Sequence, residues 1–503
     1  MKKPLKCVTA TLLVLFGFAL LAGSVHAQST FVYTNNNGTP NTVSAFSVGP
    51  GGTLTMVPGS PFLTGGGGGG EFYASNTAAA TMTMRKRFLY VSNNGTNNIS
   101  GFSINTTTGA LTPVSGSPFA TGGSGIFGIS LAVTPNGKFV YAGNVGSGDI
   151  SAFSVGSNGA LTPIADSPFP AGGSPDGIKV SPNGKFLGVA LPFTDSVAMF
   201  RIGSNGALTS VTGSPFPQGG TGVGAAYVDM SCNSKLLFAA LANIANAVAD
   251  TQVGVSTIAS SGALSAIAGS PFTFAPGADS NVGILSPNNQ WLFVSNQDSS
   301  TITSLDVESN GNLAQVSGSP FLNAGTHPSG MATNAEGSLL YVANDNNTVT
   351  GFRVDNSNGS LSPVPLSPFP TDGTGLLRSL TTFPAKRVEG EGDENGDDGH
   401  KGHFRFEAER ECKASGGMDF EETDSGRGIK GSVDTYTAVG NTATITGAGT
   451  LLDGTPVHYT AIVLGNAPLI GANRFAISWV TSTLSVFHTS GALTDGYIAV
   501  HAQ

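Results

Sequence analysis

Three side chains in the first three quarters of the chain are of types that could act together on a carbonyl group. His327 or Asp176 could act as a general base, and Arg378 could stabilise the negative charge that develops on an attacked oxygen. Hydrolysis of a lactone needs both roles. The alternative is that all three are solvated loop or channel-lining residues, because they are far apart in the sequence. The elements that hold them decide between these interpretations.

An asparagine recurs at one point of a repeating pattern in five places. A ring of amides that binds a polar ligand is one interpretation. The other is that each asparagine closes a strand by bonding the local backbone, and its recurrence favours this structural role. The five positions are Asn36, Asn93, Asn144, Asn296 and Asn344.

The acidic segment 393–399 superficially resembles a calcium-binding loop. Its glycine is displaced by one position, and Phe404 stands where such a loop carries glutamate. His400 and His403 add possible metal ligands, but on a Gly-rich stretch that we expect to be flexible. We therefore predict no ordered metal site and no cofactor, and the sequence also has no nucleophile elbow, phosphate loop, paired-cysteine zinc motif or dinucleotide fingerprint.

The tripeptide Ser-Pro-Phe sets the frame in which these residues lie. It occurs seven times at intervals of 47 to 57 residues, and each copy follows a Gly-x-Leu. A period near 50 residues indicates stacked supersecondary units. The copies begin at Ser60, Ser117, Ser167, Ser214, Ser270, Ser319 and Ser367.

Each repeat has the pattern of four short strands. In one repeat the apolar or alternating runs are 131–134, 139–142, 150–155 and 161–164, and the first and last of the three turns between them contain Asn-Gly. A single sheet of this kind leaves both faces uncovered, whereas seven sheets arranged radially cover one another. The sequence therefore predicts an all-β fold with a seven-bladed β-propeller at 28–384.

The two ends of the array predict how the ring closes. The first repeat begins at Phe31 without a preceding strand, and the strand-like run 376–382 has no repeat after it. We expect this run to become the innermost strand of the first blade, which is a three-plus-one closure that pairs two otherwise exposed edges.

Meander topology also predicts where a ligand would bind. The loops after the second strand and the loops between blades must share one face, and they are the longer ones, such as 64–71, 93–98 and 120–125. Repeat alignment places His327, Asp176 and Arg378 on loops or inner strands near the channel mouth of that face. We expect a ligand there.

The N-terminus predicts export. Lys2, Lys3 and Lys6 precede an apolar run at 10–22 and a small-residue site that ends at Ala27, which is the pattern of a signal peptide at 1–27. We expect a secreted, periplasmic or cell-surface protein, a monomer without a membrane span. The net charge of -9 and the absence of a basic stripe argue against nucleic-acid binding.

A composition change after Pro384 predicts a second unit. Six of the ten residues at 389–398 are acidic and glycines alternate with them, so we expect a flexible linker at 385–402. Short alternating runs at 403–503 predict a small β-sandwich. Cys232 and Cys412 fall in different units, and we expect two buried thiols rather than a disulfide.

The second strands carry a family resemblance. The segments 88–93, 291–296 and 339–344 read FLYVSN, WLFVSN and LLYVAN, and a Pro-Asn-Gly-Lys turn precedes the equivalent strand in two other repeats. This resembles the Tyr-Val-Thr-Asn surface-layer repeat and the lactonase-type seven-bladed propellers, which include 6-phosphogluconolactonase-like proteins and carboxymuconate cyclases. Segments 441–449 and 496–501 look like the post-COAP-type sandwich modules of exported bacterial proteins.

The resemblance implies a propeller over about 31–384 and a lactone-hydrolysing site at the channel. Such enzymes tend to carry a Pro-Arg-His-like sequence at the start of an inner strand. The nearest segment here is His327-Pro328-Ser329-Gly330, which has no adjacent arginine, and His327 is the only histidine of the predicted propeller.

We therefore expect an exported binding, surface or scaffold protein whose long-loop face binds a polar small molecule, a glycan or an envelope protein. The alternative is a lactonase-like hydrolase with His327, Arg378 and Asp176 at the channel mouth. The enzyme interpretation requires these side chains to converge within hydrogen-bond reach.

Overall fold

The computed structural model describes residues 30–501, apart from 70–77, 84–85, 126–127, 220–222, 244–249, 278, 384–385, 411–413, 468, 482 and 484. The predicted signal peptide at 1–27 lies outside the described residues. Within the described part of the chain, no helix has the length and apolar character that crossing a membrane requires.

Seven antiparallel sheets of five strands each form the blades, which confirms the predicted seven-bladed propeller. Blade 1 contains β1 (Phe31–Asn35), β2 (Thr42–Val48), β3 (Leu54–Met56), β4 (Phe62–Leu63) and β35 (Ser379–Phe383). Blade 2 contains β5 (Ala78–Thr83), β6 (Lys86–Asn93), β7 (Asn98–Ile104), β8 (Leu111–Pro113) and β9 (Phe119–Ala120). Blade 3 contains β10 (Ile129–Val133), β11 (Phe139–Asn144), β12 (Asp149–Val155), β13 (Leu161–Pro163) and β14 (Phe169–Pro170). Blade 4 contains β15 (Ile178–Val180), β16 (Phe186–Leu191), β17 (Ser196–Ile202), β18 (Leu208–Ser210) and β19 (Phe216–Pro217).

The other three blades repeat the same order. Blade 5 contains β20 (Val223–Met230), β21 (Leu236–Asn243), β22 (Thr251–Ile258), β23 (Leu264–Ala266) and β24 (Phe272–Phe274). Blade 6 contains β25 (Ser280–Leu285), β26 (Trp291–Asn296), β27 (Thr301–Val307), β28 (Leu313–Gln315) and β29 (Phe321–Leu322). Blade 7 contains β30 (Pro328–Thr333), β31 (Leu339–Asn344), β32 (Thr348–Val354), β33 (Leu361–Pro363) and β34 (Phe369–Pro370). Short 3-10 turns occur at Pro50–Gly52, Asn94–Thr96, Pro192–Thr194 and Ile470–Ala472.

The ring closes as the sequence predicts. Strand β35 pairs antiparallel with β1, with Phe383 opposite Phe31 and Ser379 opposite Asn35. It also contacts the inner strands β30 and β5 of the two neighbouring blades, so it is the innermost strand of blade 1. The polar edge that β1 would otherwise expose is thereby paired.

The Ser-Pro-Phe motif divides the outer edge of each blade into two short strands. In blade 3, β13 and β14 both pair with β12, and the Ser167 hydroxyl accepts a hydrogen bond from the Ala152 N–H between them at 2.9 Å. A buried backbone N–H that the strand pairing leaves without a hydrogen bond needs such a partner. The motif serine makes the same bond in all seven blades, and the Ser-Pro bond is cis in each.

The Gly-x-Leu motif joins neighbouring blades. Gly159 has a φ of +85°, and a Cβ there would lie 2.5 Å from Cδ1 of Phe88 in the preceding blade. Only glycine allows both this conformation and this approach. The equivalent contacts are Gly52 with Leu339, Gly109 with Phe31, Gly206 with Phe139, Gly262 with Phe186, Gly311 with Leu236 and Gly359 with Trp291. Apolar clusters accordingly lie between blades, each drawn from two or more neighbouring sheets.

The C-terminal unit is all-β, and its strands close into one eight-stranded antiparallel barrel with an apolar interior. Its strands are β36 (Lys386–Gly396), β37 (Lys401–Arg410), β38 (Ala414–Glu422), β39 (Gly428–Val439), β40 (Thr442–Leu451), β41 (Pro456–Leu464), β42 (Arg474–Thr481) and β43 (Val486–His501).

The predicted linker at 385–402 is wrong, because β36 and the start of β37 are barrel strands. Residues of β36 are buried alternately, with Val388 and Glu394 inside the barrel. Its glycines allow close contacts: a Cβ at Gly390 would lie 2.8 Å from the Phe406 ring, and one at Gly392 would lie 2.3 Å from the Asp495 carbonyl oxygen. The acidic and glycine residues that suggested flexibility therefore alternate as the two faces of a strand.

One contact links this strand to the propeller. Arg87 at the start of the second strand of blade 2 forms an ion pair with Glu389 at 3.1 Å and lies over the Phe383 ring. The thiol expected at Cys232 is also wrong, since this half-buried residue is disulfide-bonded. Cys412, the other expected thiol, lies outside the described residues.

Candidate functional site at the channel mouth

The three residues singled out from the sequence lie at the same end of the inner strands. Arg378 directly precedes β35, His327 directly precedes β30, and Asp176 lies two residues before β15. The antiparallel register sets the starts of the inner strands beside the ends of the second strands, for example Pro328 opposite Asn344. This end of the channel is therefore the face that carries the loops after the second strands.

Arg378 is the centre of a charged cluster. It is 2% exposed, and its Nη2 lies 3.2 Å from Oδ2 of Asp345, in the loop after β31. When the Gln297 amide oxygen faces Arg378, it accepts a hydrogen bond from Nη1 at 2.9 Å, and its nitrogen donates to Oδ2 of Asp279 at 3.2 Å. Blades 6, 7 and 1 thus contribute to one hydrogen-bonded chain.

Electrostatic interactions connect Asp176 and His327 to this hydrogen-bonded group of residues. Burial lowers the pKa of Arg378, while Asp345, Asp176 and Asp279 act in the opposite direction. Burial raises the pKa of Asp345, while the charges of Arg378 and His327 lower it. Asp176 is 3% exposed, and His327 is exposed with a left-handed backbone φ of 47°.

Sequence analysis found Arg378, Asp176 and His327 but missed Asp345, Gln297 and Asp279. Asp345 and Gln297 directly follow two of the recurrent asparagines, Asn344 and Asn296, so their repeat position was a signal that could have identified them. In blades 6 and 7 the first residue after the second strand lies beside Arg378. Arg378 bonds directly to Asp345 and Gln297, two of these overlooked residues.

The recurrent asparagines have a structural role, as the sequence favoured, but they bond side-chain hydroxyls in all five blades where the prediction was local backbone. Each side chain is buried, and its Nδ2 donates to a hydroxyl at the start of the third strand of the same blade. The pairs are Asn36 with Ser44, Asn93 with Ser100, Asn144 with Ser151, Asn296 with Thr303 and Asn344 with Thr350, at 2.8 to 3.0 Å. These amides are therefore engaged within the blades.

The glycine run after Thr64 also has a packing role. Gly68 N–H donates to the Gly38 carbonyl at 2.7 Å, and Gly95 N–H donates to the Gly67 carbonyl at 2.9 Å. A Cβ at Gly68 would lie 2.2 Å from the Asn37 carbonyl oxygen. The run thus fills the seam between blades 1 and 2, while Gly70 and Glu71 lie outside the described residues.

A closed ring of seven antiparallel blades is the architecture of a lactonase-type propeller. The profile of the family described as "Lactonase, 7-bladed beta-propeller" matches residues 23–172, 128–223 and 250–371, which is more than half of the chain. The chain therefore belongs to this family. The match ends before the barrel begins at Lys386.

Solved structures share the propeller fold at low sequence identity. A candidate 6-phosphogluconolactonase from Bacteroides fragilis has a TM-score of 0.57 at 19% identity, covering 72% of this chain and 99% of its own. The periplasmic gluconolactonase from Pseudomonas aeruginosa has a TM-score of 0.55 at 17% identity, covering 71% of this chain and 99% of its own. A comparison with curated proteins found no match. At these identities the structures establish the fold and leave the chemistry to the site.

Proposed function

We propose that this protein is an exported propeller that binds an uncharged, polyhydroxylated ligand such as a glycan at the mouth of its channel. The basic head, short apolar run and small-residue site of the N-terminus support export. The barrel is then a second unit appended to the binding propeller.

The charge balance at the mouth is the observation that carries the proposal. Asp176, Asp279 and Asp345 act on one arginine, and that arginine is buried and bonded to Asp345 and Gln297. A ligand that carries phosphate or carboxylate would meet a net negative potential, with the Arg378 guanidinium already neutralised. Carboxylates and amides are, by contrast, acceptors and donors for the hydroxyl groups of an uncharged sugar.

Hydrolysis of an uncharged lactone is the second candidate. It is favoured by His327, which is exposed and whose charge acts on Asp345, because a histidine coupled to a carboxylate can serve as a general base. The gluconolactonase activity named for the Pseudomonas aeruginosa neighbour makes such a substrate worth testing. Arg378 weakens this candidate, since the residue that would stabilise the oxyanion is 2% exposed and held by other groups.

The binding proposal is tested with a panel of neutral, uronic-acid and phosphorylated oligosaccharides, followed by calorimetric titration of the best neutral compound. The His327→Ala variant should weaken binding several-fold, because His327 is the exposed side chain of the cluster. The matched control is His458→Ala, which removes an exposed histidine of the barrel. Binding restricted to anionic compounds, or binding that both variants retain fully, would contradict the proposal.

A further inference from the structure

A second cluster of ionisable residues lies at one end of the barrel, apart from the channel. Glu394 of β36 is opposite Gly402 of β37, and Gly402 is opposite Glu422 of β38. Glu394 and Glu422 are each 1% exposed. Gly402 has no side chain, and a Cβ there would lie only 3.1 Å from Oε1 of Glu394. The carboxylates of Glu394 and Glu422 therefore flank the same interior space.

Ligand atoms converge beside this space. One atom each of Asp398, His400 and Glu422 lies within 4.8 Å of the other two. An imidazole with carboxylates is a donor set that suits zinc, manganese or iron better than calcium, which prefers oxygen ligands alone. His400 Nδ1 lies 3.1 Å from Oδ1 of Asp424, an arrangement that orients a histidine to bind metal through Nε2.

Glu394 supplies an independent reason to place a cation here. Both of its carboxylate oxygens are buried without a hydrogen-bond partner among the described residues, as is Oε1 of Glu422. An unsatisfied buried carboxylate is costly, and a bound cation would remove that cost.

Arg427 already neutralises part of the negative charge of this cluster. Its Nε lies 2.7 Å from Oε2 of Glu422, and its Nη2 lies 3.3 Å from Oδ2 of Asp398. The Arg427 guanidinium is partly exposed, and it contacts one carboxylate oxygen of Glu422 and one of Asp398. Arg427 therefore pairs with Glu422 and Asp398 but with neither oxygen of Glu394, which leaves these three carboxylates with an excess of negative charge.

The turn that carries two of the ligands is ordered by its own hydrogen bonds. Gly396 N–H donates to the His400 carbonyl at 2.8 Å, and Asp397 N–H donates to the Ser490 carbonyl at 2.9 Å. His400 N–H donates to Oδ1 of Asp398 at 3.1 Å. The sequence analysis expected this stretch to be flexible, whereas the structure shows a hydrogen-bonded turn.

We propose that Asp398, His400 and Glu422 bind one divalent transition-metal ion at this end of the barrel, with the buried Glu394 carboxylate completing the site. The site is separate from the channel mouth and does not depend on the function proposed there. Its position, with two ligands on the turn between β36 and β37, gives it a structural role in holding that turn against β38 and β43.

The test uses untagged protein stripped with EDTA and titrated calorimetrically with Zn²⁺ and with Mn²⁺, with Ca²⁺ and Mg²⁺ as comparison ions. Wild type should bind about one equivalent of Zn²⁺ or Mn²⁺ above the background of surface histidines, and the ion should raise the melting temperature of the barrel. The His400→Ala variant should weaken binding roughly tenfold or more.

His403→Ala is the matched control, since His403 is a neighbouring exposed histidine that pairs with Asp393 at 2.7 Å but lies outside the cluster. This variant should bind like wild type. If neither ion binds wild type above the background, or if His400→Ala and His403→Ala bind equally, the proposal is overturned. Asp398→Asn, at an exposed position, gives the same readout should His400→Ala fail to fold.

Discussion

The hydroxyl of Tyr341 donates a hydrogen bond to the carbonyl oxygen of Gly52 at 2.8 Å, across the seam between the last blade and the first. The same contact joins Tyr33 to Gly109, Tyr90 to Gly159 and Tyr141 to Gly206, at 2.8 to 2.9 Å. The closing seam is therefore built like three of the internal seams. The repeat's own contact between blades closes the ring together with the pairing of β35 and β1.

The glycine of each Gly-x-Leu should be sensitive to a single methyl group. Gly109→Ala would place a Cβ 2.4 Å from Cδ1 of Phe31, whereas Gly122, with a similar φ of +80°, has nothing within 4 Å. Both substitutions strain the backbone, so their difference isolates the contact between blades. We expect Gly109→Ala to cost about 1–3 kcal/mol more than Gly122→Ala, measured by chemical denaturation. Equal losses would show that this contact is not tight.

The serine of Ser-Pro-Phe should stabilise its blade through the backbone N–H hydrogen bond that its hydroxyl accepts. Ser167→Ala leaves the Ala152 N–H without its hydroxyl acceptor, which should cost about 1–3 kcal/mol. Ser154→Ala, at an exposed hydroxyl on the same strand β12, is the control and should cost less than about 0.5 kcal/mol. If both variants unfold at the same denaturant concentration, the serine bond does not stabilise the blade.

Arg378 should be required for the stability of the fold as well as for the charged cluster at the channel mouth. Arg378→Met would leave Asp345 and its neighbouring carboxylates buried without their cation, with an expected loss of about 3–5 kcal/mol. The double variant Arg378→Met/Asp345→Asn should recover part of that loss. Arg353→Met, at an exposed arginine of β32, is the control. A double variant that is less stable than Arg378→Met would contradict the assigned pairing.

The metal-free barrel should lose stability as the pH rises. The folded state raises the pKa of Glu394 from 4.5 to about 8, so between these values the folded state holds a proton that the unfolded chain releases. The stabilisation is present below about pH 4.5 and is lost as the pH approaches 8, by up to about 1.4 kcal/mol per pH unit. Glu394→Gln should flatten this dependence in denaturation experiments with EDTA. An unchanged slope would show that Glu394 does not titrate in this range.

The repeats could be predicted from the sequence because each motif makes one contact that recurs around the ring. The barrel strand β36 could not, because alternating glycine and acidic residues have the composition of a linker. What distinguishes the strand is the burial of Glu394 and Val388 on one face, which depends on partners far away in the sequence. At the mouth, repeat alignment located Arg378, whereas the signal for its partner Asp345 was its position directly after the structural Asn344, which the sequence analysis did not use.

The most direct test of the proposed function is turnover of glucono-δ-lactone at neutral pH, corrected for spontaneous hydrolysis. Wild type, His327→Ala and His458→Ala are compared at the same protein concentration. A binding protein in which Arg378 is buried and neutralised should give rates equal to the background in all three. Robust turnover that His327→Ala abolishes and His458→Ala retains would contradict this account and establish a lactone hydrolase at the channel mouth.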